Sequence, residues 1–433
     1  MDRRSFLKTA GLTAAGTAAV ASTASAAELA DSPLLGGTSP KFLSVPTRER
    51  LAPLSTDLSP WVPSVSQPWD VHTINHLYRR AGFGATLAEI KTASAKTPSE
   101  VVDAMLQDSL LTKPPVPALP TGADLWLHVA PYIGTDQTQL NAQMSLYYNG
   151  IGQIRSHWTA QMNQPDVLLR EKMALFWMNH FVFEATKKVY YPQSVNDFLT
   201  YFREHAWGNF KEMVSYVTTS PAMLIYLDGI LNIGSAPNEN YAREVQELFT
   251  MGVVDKDGKP NYTQDDVEAL ALIFSGWVVK YDAPPPNLYP AEYIVSRHGT
   301  KRLAVYDTTA RIYNLEASGA SKEKEIIDHI FEQRGSQIAW YMCSKLYKFF
   351  VYEDTSSDAA RIIIDSLAAT LMYNNWEMKP VLAQLLKSAH FFDELNIGAQ
   401  IKSPNDHMVG LLRSFDLTID EMAATTAVYH AYS

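Results

Sequence analysis

The sequence predicts a mainly α-helical protein, with one large multi-helix domain and a small β insertion. Three observations support this. Apolar residues recur at helical spacing in four late runs, 322–333, 336–352, 358–374 and 377–390, as in packed helical pairs. Between about 290 and 315 they alternate instead, as in short strands. With 46% hydrophobic residues in 433, the chain has ample material for a buried core.

The first 26 residues predict a targeting segment. Residues 2–8 (DRRSFLK) resemble a twin-arginine export signal, a soft apolar stretch follows, and Ala24-Ser25-Ala26 suits a signal-peptidase site. That stretch is too short for a membrane span, and no other run approaches one. We therefore expect export by the twin-arginine route, a periplasmic or extracellular location, and a mature chain without a transmembrane segment.

Charge and cysteine content agree with an exported globular protein. Removing residues 1–26, with three basic residues and one acidic residue, would lower the net charge from −10 to −12. Such an acidic chain argues against nucleic-acid partners. Cys343 is the single cysteine, so no intrachain disulfide is possible despite the oxidising destination. Its apolar neighbours predict a buried, inert thiol.

Residues 27–68 predict a linker, because seven prolines are spread there among Ser, Thr and Gly. The single helical domain would then occupy residues 69–433. Helix-like runs within it are expected at about 99–108, 137–161, 194–208 and 209–219.

The most informative stretch runs from Pro237 to Trp277 and predicts two amphipathic helices joined by a tight turn. At about 100° per residue, one apolar stripe that should be buried comprises Tyr241, Val245, Leu248 and Gly252. On the opposite side, acidic residues flank Arg243 at i, i+4 spacing, which is typical of a solvated ion-pair ladder. Arg243 is also a candidate ligand-binding residue.

Glu244 lies at the edge of the predicted buried face, where an unpaired carboxylate would be costly. A structural arginine or backbone partner and a role as a site residue both remain open. In the turn, Asp255, Asp257 and three later residues fall at EF-hand positions, but Lys259 and Pro260 break that pattern. A plain turn followed by a helix cap at Thr263 is favoured.

Several stretches resemble the motifs of a large bacterial family of proteins of unknown function, the domain-of-unknown-function eighteen-hundred family. The central one is NENYARE at 238–244, followed by ELFT at 247–250 and Gly276-Trp277. The others are HLYRRAGFGAT at 76–86, LLREKMALFWMNHF at 168–181, PAMLIYLDG at 221–229, IKSP at 401–404 and MVGLLRSF at 408–415. The resemblance covers about residues 70–415 and names a family but no reaction. Relatives typically continue into a Pro-Pro motif ending in Gly-Trp, so stopping at Ser433 indicates a shortened member or a cut coding sequence.

The first two of these motifs in chain order supply candidate site residues. Arg79 and Arg80 would hold an anionic ligand or pair with carboxylates. Trp177 belongs either to the core or to a stacking platform for a sugar ring. Trp277, which closes the central motif, is a further ligand-binding candidate.

His180 ends the second motif, either as a core histidine bonded to a backbone carbonyl or as a ligand or general base. Glu171 lies nine residues earlier on the same helix, roughly 180° away. The two cannot share one ion unless the helix breaks between them. Near His298, relatives usually have His-Asp before a glycine and a lysine; here HGTK at 298–301 lacks the aspartate, unless it has shifted to Asp307.

Two functions remain open. In one, an exported enzyme uses Glu244 and His180 as catalytic groups and a divalent metal is held by Glu171, His180, Glu244 and His298. In the other, a non-catalytic envelope or extracellular binding module contacts a protein partner or a glycan. The resemblance implies an exported hydrolase-like partner, because relatives are often encoded beside such proteins. We favour the binding module, since the missing aspartate and C-terminal motif weaken a catalytic role.

Overall fold

The computed structural model describes residues 54–107, 137–185, 188–189, 192–280, 290–299, 302–306, 312–314 and 323–417. Within these ranges the chain forms fourteen α-helices and two small antiparallel sheets. The predicted fold class, mainly α with a small β insertion, is therefore confirmed. The predicted targeting segment and Asp307 lie outside the described residues. Among the helices in these ranges, none combines the length and apolarity that crossing a membrane requires.

The helix bounds follow the predicted runs closely. They are α1 (Val71–Arg80), α2 (Leu87–Ser94), α3 (Pro98–Gln107), α4 (Gln137–Met162), α5 (Leu168–His180), α6 (Pro192–Glu204), α7 (Phe210–Thr219), α8 (Pro221–Tyr226), α9 (Asn240–Glu247), α10 (Gln264–Ile273), α11 (Glu323–Phe350), α12 (Asp358–Tyr373), α13 (Met378–Lys387) and α14 (Pro404–Ser414).

Local side-chain chemistry fixes where several helices begin. At α1, α2, α10 and α14 a polar N-cap side chain accepts from the N3 backbone amide while the N3 side chain accepts from the N-cap amide. This capping box satisfies two backbone donors that the helix leaves free. The N-caps are Asp70, Thr86, Thr263 and Ser403.

The long helix α11 joins two of the predicted runs through a bend at Arg334, whose backbone is not helical (φ −125°, ψ 19°). The Arg334 Nε donates to the carbonyl of Asn261 at 2.8 Å, which ties the bend to the turn between α9 and α10. Helix α11 packs along α12, and Cys343 is fully buried in it as predicted. Burial raises the pKa of the Cys343 thiol, so it stays protonated and inert.

The β insertion consists of four three-residue strands. β1 (Trp277–Val279) pairs with β2 (Ala291–Tyr293), and β3 (Arg302–Ala304) pairs with β4 (Ile312–Asn314). Both pairs are antiparallel and lie between α10 and α11 in the chain.

Residues 54–68, which the proline pattern assigns to the linker, lie against the helical domain. The Trp61 ring is buried and stacks on Phe392 with centroids 4.5 Å apart, and its backbone amide donates to the Lys387 carbonyl at 2.8 Å. The described end of the predicted linker is thus anchored to the domain. Backbone hydrogen bonds from Ala389 to Ser59 at 3.0 Å and from His390 to Asp57 at 2.9 Å hold the segment together with the buried indole.

The predicted apolar stripe is correct for Tyr241, Val245 and Gly252, which are buried, and wrong for Leu248. Helix α9 ends at Glu247, and Leu248 is its C-cap, whose amide still donates to the Glu244 carbonyl at 2.9 Å. Leu248 is 39% exposed, and Phe249 takes its place in the core at 2% exposed.

Candidate functional site

Glu171, a predicted metal ligand, is occupied by a structural partner. Helix α5 crosses the core, and its Glu171 carboxylate is fully buried. Arg203 on α6 binds it through Nε and Nη2 at 2.7 to 2.9 Å, and the Trp158 indole donates to it at 2.8 Å. A buried carboxylate needs such charge-assisted bonds. This bidentate ion pair connects α5 to α6.

His180 lies at the end of α5, fully enclosed, and both ring nitrogens are engaged. Its Nε2 donates to the Phe249 carbonyl at 3.0 Å, and its Nδ1 accepts from the Lys345 ammonium at 3.0 Å. Burial lowers the pKa of His180 well below its ordinary value, and the Lys345 charge lowers it further. The imidazole is therefore neutral.

Lys345 on α11 completes this centre. Its Nζ also donates to the Leu248 carbonyl at 3.3 Å and lies 4.8 Å from the Tyr341 ring centroid. The two carbonyls that His180 and Lys345 contact follow directly after α9, at the negative end of its dipole. Burial lowers the pKa of Lys345 to about 8. The centre therefore caps α9 and also holds an amine that can lose its proton near neutral pH.

Glu244 lies half-buried on α9 beside this centre. Its charge, with that of Glu247, adds to the burial that raises the pKa of Tyr341 to about 12. Glu247 accepts a hydrogen bond from Tyr262 at 3.1 Å. The end of α5 therefore meets the central motif, but His180 bonds to the Phe249 backbone and to Lys345 rather than to the Glu244 carboxylate.

His298 lies apart from this centre, in the β insertion. Its Nδ1 donates to the Ser275 carbonyl at 2.8 Å, and its ring packs on Tyr293. Across the described part of the chain, no three His, Cys, Asp or Glu side chains come close enough to hold a metal ion. The structure thus does not bring the four predicted metal ligands together.

The structure also shows the surroundings of three other predicted ligand-binding residues, Trp177, Trp277 and Arg243. Trp177 is fully buried, donates to the Ala206 carbonyl at 2.8 Å and stacks on core phenylalanines, so its faces cannot meet a sugar. The Trp277 ring in β1 packs on Tyr293 at 5.6 Å. Arg243 pairs with Glu239 at 2.8 Å, as the i, i+4 spacing predicts.

The turn between α9 and α10 uses its acidic residues locally. Asp255 accepts from the backbone amides of Asp257 and Lys259 at 2.9 Å, and Thr263 and Asp266 form the capping box of α10. The favoured prediction of a turn plus a cap is confirmed. The side-chain oxygens of Asp255, Thr263 and Asp266, which resembled calcium ligands, are bonded to the chain itself.

Arg79 and Arg80, at the end of α1, line a cavity of 280 Å³. Its other wall comes from the segment before α14 and from α14 itself. The polar side chains that line it include His72, Arg79, Arg80, Gln400, Lys402 and Asp406. We call this the cationic cavity.

The charges of the cationic cavity do not cancel. Asp406 is its single carboxylate, and it pairs with Lys172, a buried lysine held between the rings of Phe83 and Phe349. Burial acts to raise the pKa of Asp406. The Lys172 charge and hydrogen bonds outweigh burial and hold this pKa below its ordinary value. Arg79, Arg80 and Lys402 therefore leave a net charge of three positives.

Arg80 is fixed in direction. Its Nε donates to the Phe350 carbonyl at 2.8 Å and its Nη2 to the Phe349 carbonyl, so it caps the C-terminal end of α11. A guanidinium has five N–H donors, and these contacts leave others for a ligand. Arg79 and Lys402 are exposed, and no described residue forms an ion pair with either.

The sequence analysis did not single out two lysines that the structure places at these candidate sites. Lys402 belongs to the IKSP motif and Lys345 lies in the apolar run of α11. Lys402 could have been found from the sequence, because it is a basic residue within a motif that carries the family resemblance. Lys345 gave no such signal, since an isolated lysine on a long helix usually faces solvent.

Comparison with known proteins places this architecture in a family. A family model described as "Protein of unknown function (DUF1800)" matches residues 76–432. No curated protein and no solved structure shows a significant match to the chain.

Proposed function

We propose, from the premise that the chain belongs to this family of proteins of unknown function, that it is an exported binding module that holds a small anionic ligand. The observation that carries the proposal is the convergence of Arg79, Arg80 and Lys402 on one cavity in a protein of net charge −10. Like charges held together repel one another. A bound anion would offset that repulsion.

The donors define the chemistry of this ligand. Guanidinium groups bind carboxylate and phosphate through paired N–H donors, and an ammonium group adds a point charge. A cavity of 280 Å³ lies near the lower end of the range for ligand pockets. The ligand is therefore a small carboxylate or phosphate compound.

Calorimetric titration with inorganic phosphate and with citrate tests the proposal. Arg79→Ala and Lys402→Ala remove exposed side chains, so folding should be retained. Each should weaken binding about tenfold, the effect of losing one charge-assisted hydrogen bond. Arg361→Ala and Lys379→Ala, exposed cations away from the cavity, serve as controls. Absence of binding for both anions, or equal affinity in the cavity variants, contradicts the proposal.

We also propose that the protein leaves the cytoplasm by the twin-arginine route and acts in the periplasm or outside with a hydrolase-like partner. Residues 2–8 and 24–26 support the export, and the family resemblance supports the partner. Replacing Arg3 and Arg4 by lysine should trap the protein inside, whereas Lys8→Arg should not. Export that survives the double replacement would contradict this route.

A second candidate is the exported enzyme centred on Glu244 and His180, with or without a divalent metal. The observation that favours it is the Lys345 amine held 3.0 Å from His180, the histidine in the second family motif. Elemental analysis of protein exported in folded form separates the candidates. A stoichiometric metal that is lost in both Glu244→Ala and His180→Ala favours the enzyme, and metal-free protein favours the binding module.

A further inference from the structure

Three groups surround the amine of Lys345, and two of them accept hydrogen bonds. Its Nζ lies 3.0 Å from Nδ1 of His180 and 3.3 Å from the Leu248 carbonyl oxygen, and the Tyr341 ring centroid is 4.8 Å away. No described carboxylate forms an ion pair with Lys345. An ammonium group has three N–H donors, whereas an unprotonated amine has two and a lone pair. The two acceptors therefore match a neutral amine whose lone pair stays free.

His180 is arranged as a proton acceptor for this amine. Its Nε2–H donates to the Phe249 carbonyl at 3.0 Å, which leaves Nδ1 as the acceptor towards Lys345. A nucleophile within hydrogen-bond reach of a base, which is itself oriented by a third group, is the arrangement of nucleophilic catalysis. Lys345, His180 and the Phe249 carbonyl occupy those three places.

Lys345 lies at the boundary between this buried base and the solvent. His180 is enclosed, whereas Lys345 and Tyr341 are each partly exposed and Leu248 is 39% exposed. The pKa of Lys345, which burial lowers to about 8, leaves roughly 200-fold more unprotonated amine at pH 7 than an ordinary lysine has. A small molecule from solvent would therefore meet a lysine that is ready to react.

We propose that Lys345 is a nucleophile that forms an imine with a small aldehyde or ketone. The nitrogen lone pair attacks the carbonyl carbon, a C–N bond forms, and the electron pair of the C=O π bond moves to oxygen. Both protons of the amine pass through Nδ1 of His180 to that oxygen, which leaves as water when the C=N bond forms. Nothing is oxidised or reduced in this step.

The surroundings of the amine favour imine formation over acyl transfer. The intermediate of acyl transfer is an oxyanion that needs hydrogen-bond donors, and the described groups next to the amine are two acceptors and an aromatic ring. A protonated imine keeps one N–H and the positive charge, so it can retain the bond to His180 and the contact with the Tyr341 ring. The inference is independent of the anion-binding proposal, because Lys345 does not line the cationic cavity.

Reductive trapping of the folded protein tests the inference. The protein is incubated at pH 7 with acetaldehyde and cyanoborohydride, which reduces an imine to a stable secondary amine, and each lysine is followed by peptide mass spectrometry. We expect Lys345 to be ethylated at least about tenfold faster than the exposed Lys348 and Lys379. Lys345→Arg should remove the fast-reacting site, whereas Lys348→Arg should retain it.

His180→Gln tests the base, because glutamine can keep both hydrogen bonds but does not take up the proton. In this variant Lys345 should react about as slowly as Lys348. If the variant does not fold, the comparison of lysines in the wild type decides alone.

Three results would overturn the inference. They are ethylation of wild-type Lys345 no faster than that of Lys348, ethylation of Lys345 only in urea, and an unchanged Lys345 rate in folded His180→Gln protein. Phosphate titration of the wild type keeps the two proposals distinguishable. Anion binding without a fast-reacting Lys345 contradicts the imine alone, and a fast-reacting Lys345 without anion binding contradicts the cationic cavity alone.

Discussion

The ammonium of Lys345 lies 3.0 Å from Nδ1 of His180, and the opposite ring nitrogen donates to the Phe249 carbonyl at 3.0 Å. Three segments that are far apart in sequence meet at this point: the end of α5, the residue after Leu248, and α11. Burial keeps His180 neutral and lowers the pKa of Lys345 to about 8. The arrangement therefore has a pH dependence with a defined sign.

Stability should rise between pH 8 and about 9.5 because of Lys345. The native lysine loses its proton near pH 8, whereas an unfolded lysine keeps it until about pH 10.4. Over that window the unfolded state binds more protons, so the free energy of unfolding increases with pH. Urea unfolding at several pH values across this window measures the increase in the free energy of unfolding.

Lys345→Met provides the comparison, because methionine nearly keeps the length of the lysine side chain and removes its charge. The rise with pH should be absent in this variant and present in Lys348→Met, a more exposed lysine one turn further along α11. An identical rise in the Lys345→Met variant would show that Lys345 is not its source.

The buried ion pair between Glu171 and Arg203 should contribute much more to the free energy of unfolding than a surface ion pair does. Glu171→Gln leaves a buried guanidinium without its counter-charge, and we expect a loss of about 3–5 kcal/mol in the free energy of unfolding. Arg243→Ala breaks the partly exposed pair with Glu239 and should cost about 0–1 kcal/mol. Denaturant unfolding of both variants measures the difference, and equal losses would contradict the structural role of Glu171.

Trp177→Ala should act on stability rather than on recognition. The side chain is fully buried among phenylalanines, so its removal should cost about 3–5 kcal/mol. Folded protein should retain whatever anion affinity the wild type has, since the cationic cavity does not include Trp177. A selective loss of binding at unchanged melting temperature would return Trp177 to the ligand-binding candidates.

His76 should contribute to acid unfolding. Burial lowers its pKa to about 4, with further lowering by the charges of Arg80, His72 and Arg79. An unfolded histidine titrates near 6.5, so the stability that neutral His76 provides is present above that value and is lost as pH falls towards 4. His76→Gln, which can still donate to the Phe391 carbonyl, should flatten this decline, whereas His205→Gln, at the exposed histidine that follows α6, should leave it unchanged.

The fold was predictable because helical periodicity and caps are local. The bend at Arg334 was not predicted as such, but the break between two apolar runs marked its place within two residues. Trp61 was misassigned to a linker because composition does not show which distant surface an indole will cover. Leu248 was misassigned because a regular rotation was extended past the end of α9.

The candidate site was predictable only in part. Arg79 and Arg80 were found through their motif, but the convergence of Lys402 with them depends on α1 meeting the segment before α14, a contact across more than 300 residues. Glu171 looked like a ligand because its partner, Arg203, lies on another helix. Spacing along one helix reveals which residues share a face, and it does not reveal what the neighbouring helix supplies.

The most direct test of the central claim locates an anion in the crystal. Crystals soaked in selenate should show an anomalous selenium peak in the cationic cavity, with the selenate oxygens within hydrogen-bond reach of Arg79 and Lys402. The Arg79→Ala, Lys402→Ala double variant should lack this peak. A cationic cavity that stays free of selenate, while selenate binds elsewhere on the same molecule, would contradict the account.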